Sequence, residues 1–194
     1  MLLDKYIPKY DFTEVHTIRI KATPEVAYRA VEETTWAEVN GIVRLLFFLR
    51  ELPEKLVGRR GNNMKTGIPI MEQLEQNGFT MIEKQPPRED VFGLIVPRKI
   101  GRVWNKKSGT VPSVTDAAEF IAFKDPDYLL VIANLLIKET DTPGVVTAYT
   151  ESRTMGLSPQ AVKDFSPYWR IIRPGSGLIR RLWLRGIKRH AERG

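Results

Sequence analysis

The closing segment of the chain constrains the fold more than any other stretch. From Ser158 it reads SPQAVKDFSPYWRIIRPGSGLIRRLWLRGIKRHAERG. Phe165, Tyr168, Trp169, Ile172, Ile179, Leu182, Trp183, Gly186 and Ile187 recur at three- and four-residue spacing, which puts them on one helical face. A helix with so broad an apolar face needs a surface to lie on. The opposite face is basic. Residues 163–194 hold nine Lys/Arg (Lys163, Arg170, Arg173, Arg180, Arg181, Arg185, Lys188, Arg189, Arg193) against Asp164 and Glu192. That accounts for the whole net charge of +7, and the rest of the chain is neutral. Arg173-Pro174-Gly175-Ser176-Gly177 predicts an interruption, a Pro/Gly kink that follows a curved sheet and leaves room for a ligand. GSGLIR looks like a glycine-rich phosphate loop but lacks the third glycine and the preceding strand.

The surface for that helix is found in three late segments. AAEFIAFK (117–124), YLLVIANLLIKE (128–139) and VVTAYTESRTM (145–155) read as a strand meander, turning at 125–127 and at Asp141-Thr142-Pro143-Gly144. A symmetric register sets 134 against 151, 132 against 153, 121 against 130 and 119 against 132. One face then carries no charge: Ala118, Phe120, Ala122, Leu129, Val131, Ala133, Leu135, Ile137, Ala148, Thr150, Ser152 and Thr154. The other holds Glu119, Asn134, Tyr149, Glu151 and Arg153 among Ile121, Leu130, Ile132 and Leu136. The charge-free face is the one expected under the C-terminal helix.

Earlier in the chain, FTEVHTIRIK (12–21) alternates as a strand, with Phe12, Glu14, His16, Ile18 and Ile20 on one face. Thr23-Pro24 caps a helix whose stripe is Val26, Ala27, Ala30 and Val31. A second helix is expected over 38–51, ended by Pro53, and a connector over 54–67. A short helix at about 69–77 precedes a hairpin of FTMIEK (79–84) and DVFGLIV (90–96). Residues 98–104 read as a short added strand and 105–115 as a polar loop. One domain of 194 residues accommodates all of this.

The order of strand, helices, antiparallel strands and long final helix resembles the START-like (SRPBCC) superfamily. IRIKATPEVAYRAV is similar to that group's strand-then-helix opening, and FKDPDYLLVIANLLIKE, TESRT and PYWRIIRPGSGLIRRLWLRGIKRHAE look like the late strands and final helix of uncharacterised bacterial members. The resemblance implies an α+β helix-grip fold: a curved antiparallel sheet of six to seven strands around the C-terminal helix, with two or three helices after the first strand. It implies a cavity for an apolar or amphipathic small molecule. Residues 52–78 exceed what that fold needs.

Several chemistries are excluded. There is no cysteine, so no disulfide, thiolate nucleophile or Cys-type metal site. Two histidines, His16 and His190, cannot make a His-rich metal centre. No Walker A motif occurs, and no cofactor is expected. No run of eighteen apolar residues is present, so no transmembrane segment is expected. MLLDKYIPKYDF lacks a signal-peptide pattern, so the expected location is cytoplasmic.

The expected function is binding of a small hydrophobic or amphipathic ligand between sheet and final helix, without evident catalysis. Its lining would be Phe120, Leu135, Thr150, Ser152, Tyr168, Trp169, Ile172, Ile179 and Trp183. The alternative is a cyclase- or hydrolase-like enzyme using His16, Glu119, Asn134, Tyr149, Glu151 and Arg153. The simpler reading of that second set is a charge ladder on the outer, wetter side of the sheet. A second alternative is binding of anionic membrane or nucleic acid by the basic helix, against which its apolar stripe is already needed by the sheet. No specific nucleic-acid site is expected. A homodimer is possible through Ile121, Leu130, Ile132 and Leu136.

Overall fold

A computed structural model describes residues 1–39, 67–99, 112 and 114–193. The helix expected over 38–51, nearly all of the connector and most of the 98–115 region lie outside them. The described elements are α1 (Leu3–Tyr6), β1 (Phe12–Ile20), α2 (Pro24–Glu33), α3 (Ile70–Gln76), β2 (Thr80–Gln85), β3 (Glu89–Pro97), α4 (Ala117–Ala122), β4 (Tyr128–Glu139), β5 (Val146–Gly156) and α5 (Pro159–Ala191).

Among the described residues the sheet is antiparallel with five strands in the order β1-β5-β4-β3-β2, rather than six to seven. The β4–β5 register is the expected one, with Ile132 opposite Arg153 and Ala133 opposite Ser152. The missing strand is the 117–124 segment, which is helical. Asp116 accepts a hydrogen bond from the Glu119 N–H at 2.9 Å, and Glu119 reaches back to the Thr115 N–H at 2.8 Å. This reciprocal cap, followed by alanines, favours helix over strand. The proposed pairings 121–130 and 119–132 therefore do not exist. Phe120 leaves the charge-free face and Glu119 leaves the polar one.

Both faces of the sheet are covered. Ala133, Leu135, Ile137 and Ala148 pack with α2 residues and with Leu182, Trp183, Leu184 and Ile187 of α5. The charge-free face does lie under the long helix. In α2, Tyr28 is buried and Val26 is exposed, correcting the expected stripe. Beyond it, Leu129 meets Ala161 and Phe165. On the reverse face, Leu130 and Ile132 pack under Leu3 and Ile7 at the N-terminus and Phe120 of α4. Leu136 is buried too, so of the residues that suggested a homodimer only Ile121 is exposed. The outer side is thus neither wet nor free.

The final helix is assigned without a break across Arg173–Gly177, with Pro167 and Pro174 inside it. The expected interruption does not end the helix. Proline costs a helix its own N–H bond, and the packing at both ends of α5 offsets that loss. At the C-terminal end, His190 sits between two carboxylates, with Nδ1 2.8 Å from Glu38 Oε1 and Nε2 3.2 Å from Glu33 Oε2. The Glu38 hydrogen bond raises the imidazole pKa above its usual 6.5; burial opposes this and Glu33 reinforces it. A raised folded-state pKa gives stability that is complete below about pH 6.5 and lost as pH rises through the shifted value. Thermal midpoints of the wild type and His190→Gln should therefore differ at acidic pH and converge above neutrality.

Candidate functional site

Two polar clusters lie on opposite faces of the sheet, and they differ in how well they are satisfied. The first sits between the sheet and α5. Pairing of β1 with β5 sets Glu14 opposite Ser152 and His16 opposite Thr150. The alternation of β1 turns Glu14 and His16 toward the helix. The Glu14 side chain, 7% exposed, places Oε1 2.9 Å from His16 Nε2. The helix comes very close here. A Cβ on Gly177 would lie 2.3 Å from Glu14 Oε1 and 3.2 Å from His16 Nε2, so a side chain there would push the Glu14 carboxylate out of its present place.

Apolar groups bound this layer on two sides. Toward one end Phe12 packs against Phe165 and Trp169 at ring distances of 5.5 and 5.6 Å. Toward the other, Trp183 lies 6.4 Å from Trp36. Between them, Glu14 Oε2, Ser152 Oγ and Arg180 Nη1 are sealed from solvent with no hydrogen-bond partner among the described residues. Trp183 Nε1, one helical turn beyond Arg180, is also unpartnered. Burial lowers the Arg180 pKa, with the Glu14 charge opposing it, yet no hydrogen bond or ion pair between the two occurs among the described residues. Each unsatisfied group costs about 1–3 kcal/mol, more if charged. Buried polar groups without a partner are uncommon and call for a physical explanation.

Ser152→Ala tests this directly. Removing an orphaned hydroxyl is expected to leave the isolated chain as stable or to stabilise it by up to about 1–3 kcal/mol, read from the urea midpoint. A clear loss would show that the hydroxyl is satisfied in solution.

The second cluster lies under α1. Arg153 donates from Nε to Glu151 Oε1 at 2.7 Å and from Nη1 to the Ile7 carbonyl at 3.0 Å, and Nη2 pairs with Asp4 at 2.9 Å. Tyr149 donates to the other oxygen of Glu151, and the Tyr10 ring lies 4.8 Å from the guanidinium. Asn134 donates to Glu89 at 2.6 Å and accepts from the Glu151 N–H at 2.8 Å, while Glu89 also accepts from the Leu2 N–H at 3.1 Å. Burial and then the Glu151 hydrogen bond push the Tyr149 phenol up. Burial works against the Arg153 charge, but its bonds to Glu151 and Asp4 prevail and raise its pKa. Each of the groups just named has a partner, although the buried Thr13 Oγ1, on the residue opposite Arg153, has none among the described residues; what the network holds is the N-terminal segment.

The expected sets are therefore regrouped. Leu135, Thr150, Ser152 and Trp183 lie between sheet and α5, and Thr150 donates to the Asn134 carbonyl at 2.7 Å. Tyr168 and Trp169 belong to the Phe165 cluster, Ile179 packs at the margin of the main core, and Ile172 is half-buried. Phe120 is on the other face. His16 is separated from Asn134, Tyr149, Glu151 and Arg153 by the sheet itself. Glu119 is exposed and caps α4. Sequence reasoning missed Glu14, Gly177 and Arg180. The alternation of β1 had already put Glu14 on an apolar face beside His16, which was the available signal. A separate recess of about 430 Å³, lined by Phe79, Met81 and Val114 among others, lies at the β2 edge, away from both clusters. Among the described residues no cluster of His, Asp and Glu could hold a metal, and no helix is long and apolar enough to cross a membrane.

No protein-family profile and no curated protein matches the sequence. Among solved structures, one from Mesorhizobium loti is similar at 13% identity and a TM-score of 0.41, covering 94% of this chain and 98% of its own. A hypothetical protein from Helicobacter pylori is similar at 12% identity and a TM-score of 0.39, covering 97% and 93%. A Thermus thermophilus structure gives 7% identity and a TM-score of 0.35, covering 93% and 97%.

Proposed function

We propose that this chain binds a small amphipathic molecule in the layer between its sheet and α5, in the manner of a START-like, helix-grip protein. The observation that carries the reading is the set of buried, unpartnered atoms Glu14 Oε2, Ser152 Oγ and Arg180 Nη1. The polar end of the ligand supplies a donor to Glu14 and an acceptor to Arg180. Its apolar part lies along the aromatic groups on either side, among them Trp169 and Trp183. A site of apolar walls with a few fixed polar groups suits orientation-specific binding. Native mass spectrometry of the purified protein tests it. The expected result is a mass adduct released on denaturation and lost in Arg180→Leu. A bare chain mass, together with an Arg180→Leu variant that is more stable and otherwise unchanged, would sink the proposal.

A second reading keeps one observation. The 2.9 Å contact of Glu14 with His16 is an acid–base pair facing the same layer. If the protein turns its ligand over, Glu14→Gln abolishes turnover while the adduct persists. If the adduct is recovered chemically unchanged from wild type and variant alike, the binding reading stands alone.

A further inference from the structure

The α5 face turned away from the sheet has a composition that neither the core nor the ligand layer explains. Lys163, Pro167, Arg170, Ile171, Pro174, Arg181, Arg185 and Arg189 follow one another at helical spacing, and all are exposed. The row spans roughly 40 Å at 1.5 Å per residue. It contains no acidic residue. Lys163, Arg170, Arg181 and Arg185, and Arg173 beside the row, make no ion pair or hydrogen bond with any described residue; Arg189 reaches the Glu38 carbonyl. The helix carries most of the molecule's net charge, and while Lys188 pairs with Glu192, those five cations are left unanswered among the described residues.

Within this basic row stands Ile171, 78% exposed. Among the described residues the next most exposed large hydrophobic, Val15, is at 45%. Ile171 is flanked by Arg170 and Arg173 and by the exposed rings of Pro167 and Pro174. This apolar edge is distinct from the stripe that packs on the sheet, so the helix does not have to leave the sheet to use it. The objection that its apolar residues are already engaged does not apply to Ile171.

We infer that this face docks the protein on an anionic membrane surface, with Ile171 entering the headgroup boundary and the arginines meeting lipid phosphates. Charge complementarity selects an anionic partner. A protruding aliphatic side chain between arginines selects a lipid surface over a nucleic acid, whose backbone offers it nothing to enter. The inference does not rest on the ligand reading, since none of these residues faces the layer between sheet and α5.

Each cation near an anionic bilayer contributes about 1 kcal/mol, or about fivefold in affinity. The test is co-sedimentation of the whole protein with vesicles of phosphatidylcholine, or of phosphatidylcholine with phosphatidylglycerol, at low and high salt. Binding is expected only to the anionic vesicles and should weaken as salt screens the charges. Arg181→Ala with Arg185→Ala should weaken it about 25-fold. Ile171→Glu should weaken it at least tenfold with no change in thermal midpoint, because the side chain packs against little. Equal binding to neutral vesicles, an Ile171→Glu variant that binds as wild type, or binding to DNA but not to anionic vesicles would each overturn the inference. No binding at low salt would do so as well.

Discussion

Replacing Arg153 by leucine should cost about 3–5 kcal/mol of stability, the range found when one partner of a buried ion pair is removed. Arg153 and Glu151 side chains are both 5% exposed. Without the guanidinium, Glu151 remains a buried carboxylate held by the Tyr149 hydroxyl and little else. The Ile7 carbonyl and Asp4 lose their tie as well, so Leu3 and Ile7 are expected to loosen from the reverse face of the sheet. Urea denaturation measures the cost, and amide exchange across residues 1–10 locates it. Replacing both residues (Glu151→Leu with Arg153→Leu) should recover much of the loss, because an apolar pair no longer strands a charge. A loss below about 1 kcal/mol for Arg153→Leu, the size typical of exposed pairs, would mean that the N-terminal segment does not seal this network.

The contrast between the two polar clusters gives each a different physical role. In the network around Arg153 the charged groups are all partnered, leaving the Thr13 hydroxyl as the unmatched buried atom beside it, and its side chains bond to α1 and the residues after it. Such a network ties the N-terminal segment to the sheet. The layer holding Glu14, Ser152 and Arg180 has buried charged and polar atoms that lack partners among the described residues. Sequence reasoning had the enzyme alternative draw on both groups at once, because alternation along one strand says nothing about which face is capped by what. The sheet divides them, and only His16 of that set stands on the α5 side.

The parts legible in the sequence were those with a strict period or a strong local signal. The 132–153 pairing followed from the Asp141–Gly144 turn, and the charge-free face of β4 and β5 did meet the long helix. Thr23-Pro24 opened α2 as capping chemistry requires. What failed was length and context. AAEFIA is too short for either period to prevail, and the Asp116–Glu119 cap, present in the sequence, outweighed the apparent alternation. Gly177 could not be recognised as a point of close approach without knowing that Glu14 lies across from it. The unbroken run of α5 through Pro174 likewise reflects packing at both ends, which local propensity does not contain.

Truncating Phe120 to alanine should cost about 3–5 kcal/mol, the usual loss for a fully buried aromatic. Phe120 is 0% exposed and packs among Leu3, Ile7, Ile82, Val91, Ile95, Leu130 and Ile132. Its ring rests on β3 at Gly93, where a Cβ would lie 2.8 Å from Phe120 Cε2 and 3.2 Å from Ile82 Cδ1. Gly93→Ala should therefore be destabilising in the wild type and less so beside Phe120→Ala, where the added methyl has space. That coupling, measured as a double-mutant cycle in urea, distinguishes the two placements of this side chain. A strand at 117–124 would set Phe120 under α5, opposite Val131, and its truncation would then weaken retention of the proposed ligand and leave Gly93 uncoupled. With α4 on the reverse face, the loss falls on stability, the cycle is coupled, and retention of the proposed ligand beneath α5 is unchanged in whatever fraction stays folded. Additive Gly93 and Phe120 effects would return Phe120 to the ligand layer and with it the original lining of the site.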